Sequence, residues 1–526
     1  MTEKQRSKFD SKWLILLVVI VSVITTTIIM NNDHANNTGS KFAGAIETDN
    51  GDLKIDWTKY PTTNIELTDS LTITKSGTYY LTGTLEDGYI EIKGDKTSKV
   101  RIILDNVNIY NSIGPAISCI EADDFVIEFT GDNSLEDGVA YSSDYDDDIT
   151  GAIYSKGDLS ISGDGTLEIT ANYADAIVGK DDLKIDGGTY TIKAKDDGIR
   201  GKDSVYIVSG RFNLDTETDA IKSTNETDSG KGFVLIENGN INIKAGAKGI
   251  KATNSILING GEYMLNTYDD AIHSNNYIGI TGGTFAINSS DDAIHANSEL
   301  IIDNGEINIA RSYEGLEAQV VTINNGKISV IASDDGINAG GGNDSSSMNR
   351  PGANPFNADE DCKIDINDGE IYLNTSGDGI DSNGWVNING GNITIDGPTN
   401  NGNGALDAGM GIVMNGGKVI AIGSSGMAET LGQNSRVNNI SVYLDKTYSA
   451  KTLIEIKNSK SQTIIEHTSA KSFSNLTIGT EDFEFGEVYT IYLNGEKSQI
   501  FTITDITTTI GNNNTNQKTP PQPNKP

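Results

Sequence analysis

Residues 270–289 read DAIHSNNYIGITGGTFAINS. Asp270-Ala271-Ile272 opens the stretch. Ile278 and Ile280 follow at period two, Gly282-Gly283 interrupts, and Phe285 and Ile287 resume period two. Apolar positions two apart mark strands, and the glycines punctuate them. The stretch therefore holds short strands joined by turns and has no helical period. Three such strands in 22 residues cannot close a core alone, so they must stack on copies of themselves.

The copies are present. The opening triplet recurs as Asp175-Ala176-Ile177, Asp197-Gly198-Ile199, Asp219-Ala220-Ile221, Lys248-Gly249-Ile250, Asp292-Ala293-Ile294, Glu314-Gly315-Leu316, Asp335-Gly336-Ile337, Asp378-Gly379-Ile380 and Gly404-Ala405-Leu406. Five of the nine steps between copies are 22 residues and a sixth is 21. A fixed period of this length is the signature of a solenoid. The reading is an all-β, right-handed parallel β-helix with three strands per coil and Ile/Leu ladders inside. Gly188, Gly210, Gly261, Gly283, Gly305, Gly391 and Gly417 each follow their anchor by 13 residues. A glycine fixed in this way implies positive φ or close approach of the next coil. Pro115-Ala116-Ile117 and Gly151-Ala152-Ile153 extend the pattern upstream, giving about twelve coils and a rod of roughly 55–60 Å.

Outside the repeat the composition changes. Residues 1–12 are read as a cytoplasmic tail carrying Lys4, Arg6, Lys8 and Lys12. Residues 13–30, WLILLVVIVSVITTTIIM, are long enough to span a bilayer as a signal anchor, with a signal peptide as the alternative. Either reading puts the body outside the membrane, at the extracellular face of the envelope. A linker covers 31–50, an N-terminal β cap with the first coils 51–135, and the β-helix repeats 136–425. Insertions interrupt the repeats at 224–231 and 340–360. A C-terminal β-rich module spans 426–510, and 511–526 read as a disordered tail. Cys119 and Cys362 lie about 43 Å apart in this register, too far for a disulfide, so both are expected as free thiols. The chain is read as a monomer.

The net charge of −35 argues against nucleic acid, whose phosphates need a basic face, and favours cations. Stacking puts the anchor acids in one column, where carboxylates about 4.8 Å apart repel by about 3–4 kcal/mol at an effective dielectric of 20. Calcium would answer that repulsion with six to eight oxygen ligands. The other reading is an Asp turn, in which the carboxylate only accepts backbone N–H bonds. The densest cluster is Asp334, Asp335, Asp378 and Asp381. A second is Asp269, Asp270, Asp291 and Asp292. A third is Asp144, Asp146 and Asp148, whose D-x-D-x-D spacing lacks the glycine of an EF-hand.

The residue three beyond each anchor runs Val178, Arg200, Lys222, Lys251, His273, His295, Glu317, Asn338, Asp381, Asp407. Strand alternation points it away from the Ile ladder, so an outward basic and imidazole stripe is expected there. With Tyr268 and Tyr313 it would suit an acidic polysaccharide. The charges would otherwise serve only to solvate the sheet.

GTYYLTGTLEDGYIEI at 77–92, VRIILDNVNI at 100–109, GPAI at 114–117, NSLEDG at 133–138 and the repeated coils together resemble a bacterial family of cell-surface carbohydrate-binding β-helix proteins. That family is polysaccharide-lyase-like, calcium-binding and related in fold to β-helix pectate lyases. The resemblance implies a calcium-containing β-helix that binds plant-type or acidic polysaccharide without established catalysis. Asp335, Asp378 and Asp381 are similar to the calcium carboxylates of pectate lyases. Gly377 stands where a further acid belongs, however, and Asp407 stands where the base lysine would follow. A calcium-assisted lyase acting by β-elimination and an adhesive stalk remain the alternatives to a binding protein.

Overall fold

The computed structural model describes residues 55–340 and 358–511. The apolar run 13–30 with its flanking tail and linker, most of the 340–360 insertion, and the tail after residue 511 lie outside the described residues. The described residues form strands joined by short turns and loops, with no α-helix and a single 3₁₀ turn at Trp57–Lys59.

Three parallel columns run through the chain. In the first, the anchor column, the third triplet position pairs coil to coil without a break. Ile177, Ile199, Ile221, Ile250, Ile272, Ile294, Leu316, Ile337, Ile380 and Leu406 each face the next. The second column pairs Ile256, Ile278, Leu300, Val321, Ile364, Val386 and Ile412. The third pairs Tyr263, Phe285, Ile307, Ile328, Ile371 and Ile393. All these side chains are buried in one continuous core. β-Branched and aromatic residues suit the pleated inner surface, and like stacks on like: Tyr263 and Phe285 lie 4.5 Å apart at 6°.

Both insertions leave the register intact, because Ile221 still faces Ile250 and Ile337 still faces Ile380. The column also begins earlier than the triplets show. Leu71 faces Ile90, and Ile90 faces Ile117, so the stacked coils reach back to at least Leu71 within 51–135. At the far end Lys418–Gly423 pairs antiparallel with Phe473–Thr480, which pairs in turn with Asn439–Tyr448. A separate antiparallel sheet of Leu453–Asn458, Thr463–Thr468, Val488–Leu493 and Glu496–Thr502 packs over its own core, including Ile456, Phe473 and Tyr489. The reversal in strand direction ends the stack and covers an edge that would otherwise template association. Cys119 and Cys362 are free and buried.

The repeated glycines have the conformation their spacing implied. Gly261, Gly283 and Gly305 have φ of 110°, 111° and 138°. A Cβ on Gly283 would stand 3.2 Å from the carbonyl oxygen of Gly261 in the coil before. Gly283→Ala is therefore expected to destabilise the protein by about 1–2 kcal/mol in denaturant unfolding, while Gly157→Ala, which lacks a positive φ and whose Cβ would meet only the Ala122 carbonyl oxygen at an ordinary 3.7 Å, stays within about 0.5 kcal/mol. Equal effects would remove the conformational argument.

Candidate functional site

The anchor acids do two things at once. One carboxylate oxygen of each anchor Asp accepts the backbone N–H of the anchor in the next coil. Asp175 Oδ1 takes Asp197 N at 3.1 Å, Asp197 takes Asp219 at 3.2 Å, and Asp219 takes Lys248 at 3.0 Å. Asp270 takes Asp292 at 3.1 Å, and Asp292 takes Glu314 at 3.0 Å. Asp335 and Asp378 do the same for Asp378 and Gly404, each at 2.5 Å. Where the anchor is Lys248, which has no acceptor, the next N–H bonds instead to the neighbouring Asp269 Oδ1 at 2.8 Å. The backbone role of the Asp turn is thus real, but it uses only Oδ1. Oδ2 is left facing along the column.

In the first half of the column the chain supplies its own cations. Arg200 reaches Asp175 Oδ2 at 2.9 Å. Lys222 sits between Asp197 and Asp219 at 3.1 and 2.9 Å, with Lys251 at 3.7 Å from Asp219. Lys248 meets Asp270 at 2.6 Å and Asp269 at 2.8 Å. Against burial, which lowers it, the charges of Asp197 and Asp219 raise the Lys222 pKa. Against burial, which raises it, the His273 hydrogen bond and the Lys248 charge hold Asp270 down at about 2.

This corrects the expected outward stripe. The side chains do leave the Ile ladder, but the anchor carboxylates turn to the same face, and opposite charges close on each other. Arg200, Lys222 and Lys251 are occupied as counter-ions, and His273 and His295 are buried, so none stands open to a polysaccharide. At the second acidic candidate the Lys248 ammonium lies between Asp269 and Asp270, while Asp269, Asp270 and Asp291 still bring ligand atoms within 4.8 Å of one another. Asp291 stays beside them, its pKa raised to about 6 by burial and by the charge of Asp292.

The second half has no such partners. His273, His295, Glu317, Asn338, Asp381 and Asp407 succeed one another in register. Burial and the charge of Asp334 raise Asp335 to about 7. Burial and Asp335 raise Asp378 to about 8, and burial with Asp335 and Asp378 raises Asp381 well above the usual range. Burial and Asp407 raise Glu429 to about 8. Glu314 is raised by burial and by Asp292 and Asp335. Among the described residues no lysine or arginine offsets any of these five. Asp334 and Asp335 converge over Gly377, where a Cβ would stand 2.3 and 2.2 Å from their Oδ1 atoms. A side chain there would push both carboxylates aside. Asn338 is 5% exposed, and its Oδ1 has no hydrogen-bond partner among the described residues.

The third candidate does not gather. Asp144, Asp146 and Asp148 lie exposed on turns, with Asp148 facing Lys180 at 3.5 Å and Asp144 facing Ser142 at 3.3 Å. Tyr268 and Tyr313 are 76% and 44% exposed. Two participants were not singled out from the residues. Lys248 looks like a break in the acidic run. Glu429 lies beyond the last triplet, where no period marks it. A lone Lys at an Asp position was the one readable signal.

The family described as carbohydrate-binding domain-containing protein matches the chain over residues 68–315 and 264–349. A carbohydrate-binding domain-containing protein of Acetivibrio thermocellus is 37% identical over 126 residues, which is 23% of this chain and 44% of that protein. The chain thus spans less than half the length of that relative. Among solved structures, the polysaccharide lyase-like protein from C. thermocellum, described as a gadolinium derivative, is similar at 27% identity and a TM-score of 0.39, covering 46% of this chain and 96% of that one.

Two outcomes follow from the column. Asp219→Ala removes the acceptor of the Lys248 N–H and a counter-ion of Lys222, so a loss of about 2–4 kcal/mol is expected in chemical unfolding. Asp219→Asn keeps an oxygen for the N–H and should cost clearly less; equal losses would show that the backbone bond is immaterial. The raised acids of the second half bind more protons folded than unfolded, so they favour folding at low pH and lose that advantage as pH rises from about 4 through about 7–8. In chelator the Tm should fall between about pH 5 and pH 9, and a divalent cation should flatten the fall. A Tm independent of pH in chelator would contradict this.

Proposed function

The chain belongs to the family of carbohydrate-binding domain-containing proteins, and from that premise we propose that it is a calcium-dependent, non-catalytic polysaccharide-binding protein of the cell surface. Its ligand on this reading is an acidic polysaccharide such as a polyuronate.

The observation that carries the proposal is the uncompensated acidic half of the column. Buried carboxylates without cations are costly, and they persist where a proton or a metal ion joins them. The donor set is all oxygen, which suits a hard cation. Asp334, Asp335, Asp378 and Asp381 would hold it, with the space over Gly377 and the unbonded Asn338 oxygen supporting the fit. When bound, calcium supplies positive charge that can be shared with a uronate carboxylate.

Net charge gives an independent reason for the cation. A chain at −35 repels a polyanion unless a divalent ion bridges the two. Tyr268 and Tyr313 offer exposed ring faces to sugars. The non-catalytic part rests on the register: Asp407 follows Asp381, where β-elimination would need a base of lysine type. The basic flank and apolar run at 13–30 support tethering outside the membrane.

Retention on immobilised polygalacturonate tests this. Binding is expected with calcium and lost in chelator, and Asp381→Asn should weaken it by about tenfold or more, equal to about 1.4 kcal/mol. Undiminished binding in chelator would overturn the calcium dependence. Release of unsaturated products absorbing in the near ultraviolet would overturn the non-catalytic assignment.

A further inference from the structure

The second column runs unbroken to the N-terminal end of the stack, from Ile256 back through Val234, Val205, Leu183, Leu159 and Phe125 to Val100. Alternation puts Arg101 and Ile103 on its outer face, and register sets Val126 and Glu128 beside them in the next coil. The strand Thr62–Leu67 lies against Gly77–Leu85, and the 3₁₀ turn Trp57–Lys59 precedes it. Asp56 caps that turn, accepting the Thr58 N–H at 3.3 Å and pairing with Lys59 at 3.3 Å. Tyr60 N closes it on Trp57 O at 3.1 Å. The turn brings the indole to the sheet, where the Arg101 guanidinium stands 5.1 Å from the ring centroid, inside cation–π range.

Turn and sheet enclose space. A cavity of about 500 Å³ is lined from the turn by Trp57 and from the sheet by Thr62, Arg101, Val126 and Glu128. Val126 is 1% exposed although alternation turns it outward. A second cavity, of about 340 Å³, shares Glu128 and continues past it to Ser162 and Asp164. Ser162 is the register partner of Glu128 in the following coil, so the two cavities follow one another across the coils. Clefts that hold small ligands run about 300–1,000 Å³.

The lining has the mixture a sugar needs. A sugar ring shows C–H groups on its faces and hydroxyls at its edge, and each hydroxyl both donates and accepts. Arg101 is fixed in orientation: Nε and Nη2 donate to Thr78 Oγ1 at 3.2 and 3.1 Å, and Nη1 donates to Glu128 Oε1 at 3.0 Å. A guanidinium has five N–H groups, so two are left to give. Glu128 accepts through Oε1, which leaves Oε2 as a further acceptor. The two side chains are 20% and 34% exposed, so a ligand can reach them. Donors and acceptor thus stand side by side, as two neighbouring hydroxyls require, with the apolar body of Trp57 next to them.

Charge decides the class of sugar. Glu128 already neutralises Arg101, and Asp164 lines the adjoining cavity. Among the described residues no other lysine or arginine lines either cavity. A uronate would have to compete with Glu128 for the guanidinium and would meet Asp164, whereas a neutral sugar faces neither cost.

We infer that this groove is a carbohydrate site in its own right, which binds a neutral sugar chain without calcium through Trp57, Arg101 and Glu128. It lies far along the stack from the acids at 334–381 and uses none of them, so it does not rest on the calcium reading. Arg101 and Glu128 fall within the family match at 68–315, and Trp57 precedes it.

The test is titration calorimetry of the full chain in chelator with cellohexaose, xylohexaose and mannohexaose, and with hexagalacturonate as the charged counterpart. Saturable binding of at least one neutral hexasaccharide is expected, with a change in tryptophan fluorescence that Trp57→Phe abolishes; Trp13 and Trp385 are the other tryptophans. Glu128→Gln should weaken binding by about tenfold or more, and Arg101→Lys, which keeps the charge but loses the fork, should do likewise. Lys244→Ala, on an exposed ion pair with Asp215, should leave it unchanged. Glu128 is partly exposed and Gln keeps its size, so this variant is the decisive one where Trp57→Phe loosens the turn. No binding of any of the three neutral sugars, or undiminished binding by a folded Glu128→Gln variant, would overturn the site. Tighter binding of hexagalacturonate than of the neutral sugars would overturn the ligand class. Neutral-sugar binding that persists while polygalacturonate retention fails with calcium present supports this site and counts against the calcium reading alone.

Discussion

The structure depends on a hydrogen bond between the carboxylate of one anchor Asp and the backbone N–H of the next. Within each strand the inter-coil bonds run N–H to carbonyl, as between Ala176 N and Asp197 O or Ile177 N and Gly198 O. At the turn that precedes the strand, the anchor N–H points to the previous coil, where a side-chain oxygen meets it. A buried N–H left without a partner would cost about 1–3 kcal/mol. Asp provides an acceptor on the shortest stem, so it recurs, and Ala or Gly follows it because the neighbouring coil is close. At Gly249 an added Cβ would stand 2.5 Å from the Ala271 carbonyl oxygen.

That solution carries an electrostatic consequence. Each capping carboxylate places a charge in the same column about 4.8 Å from the next, and at an effective dielectric of 20 the repulsion is about 3–4 kcal/mol. A net hydrogen bond contributes about 1 kcal/mol. Repulsion therefore outweighs the cap unless a cation or a proton joins the carboxylate. From Asp175 to Asp270 the position three beyond the anchor provides that cation through Arg200, Lys222 and Lys251, with Lys248 adding another from an anchor position. From Glu314 onward the same position carries Glu317, Asn338, Asp381 and Asp407, and the acids are held with raised pKa values instead.

The fold was legible because its determinants are local and repeated. Period-two Ile and Leu, a small residue at the triplet's second position and a glycine 13 residues on each act within one coil. Even a 21-residue insertion does not disturb the pairing of Ile337 with Ile380. The column of acids was legible for the same reason. The direction taken by Arg200, Lys222 and the two histidines was half legible. Alternation gives the face a strand residue leaves from, but the anchor sits on a turn, outside the alternation, and its carboxylate swings onto that face. Long side chains then fold back along the column to meet it. Glu429 was illegible because it enters from beyond the repeat, and Lys248 because a base at an acidic position reads as a lapse in the pattern until its partners Asp269 and Asp270 are seen.

A single sequence position thus sets the local chemistry of the column. The anchor is constrained by its backbone bond, so it changes little. The residue three beyond it has no backbone duty and is free to vary. With Lys or Arg there, the coil closes on itself as an ion pair. With Asp, the coil keeps oxygen donors and a negative charge, which on the proposed reading is the calcium-binding end. With His, the coil sets imidazole nitrogen beside carboxylates: His273 Nδ1 meets Asp270 Oδ2 at 2.7 Å, and His295 Nδ1 stands 3.9, 3.4 and 3.2 Å from Asp270, Asp292 and Glu317. The order Arg, Lys, Lys, His, His, Glu, Asn, Asp, Asp therefore describes a gradient of cation demand along a scaffold whose geometry scarcely changes from coil to coil.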